Sequence, residues 1–183
     1  MKKRSRIDAL IIAAAAACVF SSCEGRSQTV SCRVTTISGD VQGVHLGSSC
    51  AFLGIPFAAP PAGNLRWKPP QPARAWAPAT LKATAAPSMC PQVSPAGSGL
   101  TQGSEDCLKL NIWTPDPPPA APTPVIVWIH AGEFTGASAN LPADDVQQMA
   151  ARTGTIVVAA NYRVGPFGFL GHSALTAEDP EYR

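Results

Sequence analysis

Apolar residues recur along this chain in three rhythms, and each rhythm predicts its own kind of element. Over residues 29–37 polar and apolar positions alternate, Val30, Cys32 and Val34 against Thr29, Ser31, Arg33 and Thr35. A period of two is that of a half-buried strand. Ser38-Gly39-Asp40 supplies a turn, and residues 41–46 and 50–55 complete a small antiparallel meander. Residues 107–113 alternate again, with Leu108, Leu110 and Ile112 on one side. Val125–Ile129 is continuously apolar instead, as is the stretch 155–160 after its first residue, Thr155, which predicts strands covered on both faces. Between them Val146, Met149 and Ala150 fall at i, i+3 and i+4, the apolar stripe of a helix. Pro142 with Asp144 and Asp145 suits its start, Arg152 its last turn and Gly154 its end. Strand, helix and strand in this order predict a βαβ unit with parallel strands.

Prolines punctuate the rest. Residues 55–78 should run over the surface in extended form, pinned by Trp67 and Trp76. Residues 94–103 are a Gly/Ser-rich loop and 116–124 a stiff connector.

The first residues serve as an address. Lys2, Lys3, Arg4 and Arg6 precede a 12-residue apolar run, residues 9–20. Spanning a bilayer takes about 20 apolar residues, so residues 1–22 are expected to be an export signal. Ser21-Ser22-Cys23 resembles a bacterial lipobox, with Phe20 where leucine is favoured, and Cys23 is the expected lipidation site. The alternative is ordinary signal cleavage nearby, leaving a secreted or periplasmic chain. In an oxidising compartment Cys32, Cys50, Cys90 and Cys107 then make two disulfides, with three pairings open. No Cys-x-x-Cys or His/Cys cluster supports a metal. A net charge of +2, with no Lys/Arg run beyond the extreme N-terminus, gives no basis for nucleic-acid binding.

Several stretches together carry a resemblance. They are Phe52-Leu53-Gly54-Ile55-Pro56-Phe57-Ala58, Gly63-Asn64-Leu65-Arg66-Trp67, Cys90-Pro91-Gln92, Ser104-Glu105-Asp106-Cys107-Leu108-Lys109-Leu110-Asn111-Ile112-Trp113, and Asn161-Tyr162-Arg163-Val164-Gly165 through Gly168-Phe169-Leu170. In this order and spacing the chain resembles the type-B carboxylesterase (cholinesterase-like) family over residues 29–170. The resemblance implies an α/β fold, the N-terminal part of an α/β-hydrolase. A small antiparallel N-terminal sheet would precede the first strands of a central, mostly parallel sheet, the domain (29–183) being incomplete. It also implies a Cys90–Cys107 disulfide, whose closure stabilises by roughly 3 kcal/mol on the chain-entropy model, and an Arg66–Glu105 ion pair. Cys32 and Cys50 are the remaining pair, suggested only by parity and closeness in sequence.

Ester hydrolysis in this family needs a serine on a Gly-x-Ser-x-Gly elbow, a histidine, an acid and an oxyanion hole. His130-Ala131-Gly132-Glu133-Phe134 stands where the family has His-Gly-Gly-Gly-Phe, so the resemblance assigns the oxyanion donors to the N–H groups of Gly132 and Glu133. Ala131 and Glu133 depart from the family's glycines, and a carboxylate near an oxyanion repels it unless its side chain turns away. No Gly-x-Ser-x-Gly occurs; Ser138 and Ser173 lack the second glycine, and His45, His130 and His172 are not expected to act as the base. The catalytic residues are therefore expected outside this chain, and no cofactor is implied. The expected reading is a fragment of an exported carboxylic-ester hydrolase, acting on an ester only when completed. The alternatives are a non-catalytic binding or adhesion module and a half-enzyme completed by a second chain. Between Cys90 and Cys107 there is no Trp, Tyr or Phe to face a quaternary ammonium group, which favours a general carboxylic ester.

Overall fold

The computed structural model describes residues 32–94, 99–118 and 121–178; the export segment and Cys23 lie outside them. The alternating N-terminal residues form β1 (Arg33–Thr36) and β2 (Gly39–Gln42), which pair antiparallel. Beyond Gly43 the chain leaves that sheet. β3 (Val44–Leu46) and β4 (Ser49–Pro56) pair with each other, and β4 pairs with β8 (Lys109–Pro115). The expected meander is thus split between two sheets. Beside β2 lies β5 (Thr80–Lys82), in parallel, while β6 (Gln92–Val93) and β7 (Thr101–Gln102) make a separate hairpin.

The larger sheet runs β3-β4-β8-β10-β9, with β9 at Val125–Ile129 and β10 at Ile156–Ala160. Only β9 and β10 are parallel in it; its other described pairs are antiparallel. The parallel part of the sheet begins at the βαβ unit, as continuous apolar strands joined by a helix require. That helix, α1 (Ala143–Thr153), ends where Gly154 takes the left-handed conformation, φ 65°, and gives its N–H to Ala150. Val146 and Ala150 bury themselves against Ala51, Trp113, Val157 and Ala159, with Met149 at the margin. The apolar stripe therefore covers one face of β4, β8 and β10.

Burial of β9 on both faces does not hold in this chain. Val125, Ile126, Val127, Trp128 and Ile129 are all exposed. β9 is the edge of its sheet, and α1 packs over the strands to one side of it. Continuous apolarity marks a strand built for two covering layers, which the described residues do not supply.

Both disulfides join separate parts of the fold. Cys32–Cys50 (Cα–Cα 5.5 Å) ties the entry to β1 onto β4, and so one sheet onto the other. Cys90–Cys107 (5.0 Å) ties the β6 hairpin to the entry of β8. The proline-rich stretch contains one 3₁₀ turn, Gly63–Leu65, and its tryptophans do anchor it. Trp76 Nε1 donates to Asp40 O, and Trp67 Nε1 donates to Pro166 O, each at 2.9 Å.

Candidate oxyanion site

The loop between β9 and α1, residues 130–142, is held at both arms by buried side chains. On the incoming arm His130 turns inward at 5% exposure, and its ring lies on that of Tyr162, 4.1 Å between centroids and 10° between planes. The hydroxyl of Tyr162 donates to His130 O at 2.9 Å. His130 Nδ1 lies 2.8 Å from Ala131 O; a carbonyl only accepts, so Nδ1 carries the hydrogen.

The outgoing arm is clamped by three buried amides. Gln92 brackets Ala137: Oε1 accepts its N–H at 2.8 Å while Nε2 donates to its carbonyl at 2.9 Å. Asn161 Oδ1 accepts the N–H of Ala139 at 2.8 Å, and Asn111 Nδ2 donates to the carbonyl of that same residue at 3.1 Å. Asn161 Nδ2 also donates to Ser88 O and Cys107 O, so the loop is fastened to the Cys90–Cys107 disulfide. The resemblance includes Gln92, Asn111 and Asn161 but implies no role for them. The available signal was three amide residues within otherwise apolar or disulfide-bearing stretches, because a buried amide must have partners.

At the tip, Gly132, Glu133 and Phe134 have φ of 117°, 53° and 62°. A Cβ on Gly132 would collide with Gly136 O, so only glycine fits there. Glu133 keeps the left-handed shape that glycine adopts freely, at a cost of about 1 kcal/mol. Gly132 O accepts from Thr135 N (2.8 Å), Thr135 Oγ1 (3.0 Å) and Gly136 N (3.2 Å). Among the described residues no acceptor meets the N–H of Gly132 or of Glu133. Free, adjacent N–H groups in a fixed turn are what an anionic oxygen needs. Glu133 itself is exposed.

Residues after β10 close over the loop. Gly165 N donates to Phe134 O at 2.6 Å, and Phe134 lies against Phe169, 4.7 Å between centroids, within α2 (Pro166–Phe169). Arg66 grips both carboxylate oxygens of Glu105, Nε to Oε2 at 2.7 Å and Nη2 to Oε1, which leaves that acid no freedom to orient a histidine. The hydrogen bond from Arg66 is the main cause holding the Glu105 carboxyl below the usual carboxylate range.

The remaining candidates do not converge. Ser138 Oγ accepts the N–H of Asn140 at 3.3 Å, and Ser173 is exposed at the start of α3 (Ser173–Glu178). His172 Nδ1 accepts the N–H of Ala174, and His45 Nε2 meets Asp116 at 2.7 Å. Among the described residues neither serine hydroxyl bonds a histidine.

A mixed sheet, a βαβ unit and a loop of this shape define part of an α/β-hydrolase. A family model described as the carboxylesterase family matches residues 26–178, and the chain belongs to that family. It is 46% identical over 146 residues to the fumonisin B1 esterase of Sphingopyxis macrogoltabida, covering 79% of this chain and 27% of that protein. It is 43% identical over 141 residues to the para-nitrobenzyl esterase of Bacillus subtilis (strain 168), covering 75% of this chain and 28% of that protein. A solved PNB esterase structure superposes with a TM-score of 0.68 at 43% identity, over 78% of this chain and 29% of that one. The chain thus spans about a quarter of the length of these relatives.

Proposed function

We propose that residues 32–178 form the oxyanion-side portion of a carboxylic-ester hydrolase. The free N–H groups of Gly132 and Glu133, in a turn fixed at both arms, carry this reading. A serine attacking an ester carbonyl drives negative charge onto its oxygen, and each N–H directed there stabilises that charge by roughly 3–4 kcal/mol. The serine, acid and histidine come from sequence outside these residues. The ester is a general carboxylic ester, since residues 91–106 include no aromatic ring to face a cationic alcohol. The chain is exported, with lipid on Cys23 as its membrane attachment; the basic and apolar N-terminal pattern and two disulfides support this.

The exposed apolar β9 favours one further arrangement, in which the remaining catalytic residues arrive on a second chain that packs against β9. A chimera tests the ester reading in either arrangement. Residues 32–178 replace the matching segment of the Bacillus para-nitrobenzyl esterase, and hydrolysis of p-nitrophenyl acetate is measured. Turnover is expected. A folded chimera that carries the esterase's serine yet turns nothing over would refute the proposal and leave a non-catalytic binding module as the reading.

A further inference from the structure

A peptide unit is planar, and in its trans form the C=O and the following N–H point in opposite directions. Whatever grips the carbonyl therefore aims the N–H. The peptides joining Ala131 to Gly132 and Gly132 to Glu133 are both trans. Their N–H groups are the two free donors, and both of their carbonyls are held by named residues. His130 Nδ1 holds Ala131 O at 2.8 Å. Thr135 holds Gly132 O twice, through N at 2.8 Å and Oγ1 at 3.0 Å, with Gly136 N adding a third bond.

We infer that His130 and Thr135 are positioning residues, each aiming one oxyanion donor by holding the carbonyl of that donor's own peptide. The inference rests on the proposed ester reading for its catalytic consequence, though not for its geometry. His130 is suited to the task because its ring cannot turn: it is buried and stacked flat on Tyr162. Thr135 is suited because its hydroxyl sits on the same residue whose N–H closes the turn. A hydrogen bond to a carbonyl also polarises its peptide and strengthens the opposing N–H as a donor. The two holds are separate, so the two donors should respond separately. The loop would then present a pre-aimed pair, one N–H set by a side chain arriving from β9 and one by the turn itself.

The amide ¹⁵N shift of a residue reports hydrogen bonding at the carbonyl before it, which makes the assignment directly readable in the ¹⁵N-labelled 183-residue chain. Thr135→Val should move the Glu133 amide and leave Gly132 in place, and Thr135→Ser should restore it. His130→Phe keeps a ring on Tyr162 but loses the donor, so it should move Gly132 and leave Glu133, with His130→Asn restoring it. In the esterase chimera Thr135→Val should lower kcat roughly tenfold at unchanged KM, less than the 100-fold or more for loss of a whole donor; Thr135→Ser should recover it. Both amides moving together in either variant, or neither moving, would overturn the inference. An inactive chimera with the amide pattern intact would instead count against the ester reading alone.

Discussion

The side chain of Asn161 accepts the backbone N–H of Ala139 at 2.8 Å, so a residue just past β10 fixes the loop that follows β9. Asn161 is 1% exposed and its Nδ2 serves two further carbonyls. Truncating it strands the N–H of buried Ala139, worth about 1–3 kcal/mol if unmet, while Cys107 O keeps the N–H of Lys109 and Ser88 is exposed. Asn161→Ala is expected to cost about 1–3 kcal/mol, read from the urea midpoint at unchanged slope.

Glu133→Gly is expected to act in the opposite direction. Glu133 sits at φ 53°, where a Cβ is strained and glycine is not. Relief of that strain stabilises by about 1 kcal/mol, reduced somewhat by the added freedom of glycine in the unfolded chain. The same change removes a carboxylate beside the donors, so it should also raise kcat in the chimera. Thermal unfolding of the two chains checks the first point and initial rates check the second.

Acid should loosen the link between the proline-rich stretch and the entry to β8. Arg66 holds the Glu105 carboxyl below its ordinary value of 4.5, chiefly by hydrogen bonding; burial opposes this, and the charge of Arg66 adds the smallest share. The unfolded chain then takes up that proton more readily than the folded one. The stabilisation is complete above the ordinary value and fades as pH falls through the lower, folded value. Both side chains are partly exposed, so solvent screening keeps the effect small. Melting temperatures from about pH 6 down to 3 should fall less steeply for Glu105→Gln than for the parent chain.

Five exposed apolar residues on an edge strand predict self-association. Sedimentation velocity should show mean mass rising with protein concentration. Val127→Lys, at the centre of β9, should suppress that rise. A parent chain that sediments as a monomer at every concentration would contradict the prediction.

Much of this was legible in the residues because the physics was local. Val146, Met149 and Ala150 marked the face of α1, and Gly154 its end, by spacing and backbone freedom alone. The loop between β9 and α1 was legible through its resemblance to the family's His-Gly-Gly-Gly-Phe, and its Gly132 stands where no Cβ fits. Three features were not legible. The split of the meander at Gly43 depends on β4 finding β8, a partner about 60 residues away. The exposure of β9 depends on what covers it, which no local pattern records. The clamps on Ala137 and Ala139 arise from Gln92, Asn111 and Asn161 meeting only in the folded chain.

Covalent trapping with a fluorophosphonate, located by peptide mass spectrometry, reads where the nucleophile lies. The chimera is expected to be labelled on the serine supplied by the Bacillus esterase, and the 183-residue chain alone to take up no label. A phosphonyl group on Ser138, Ser173 or any other hydroxyl of the isolated chain would contradict this.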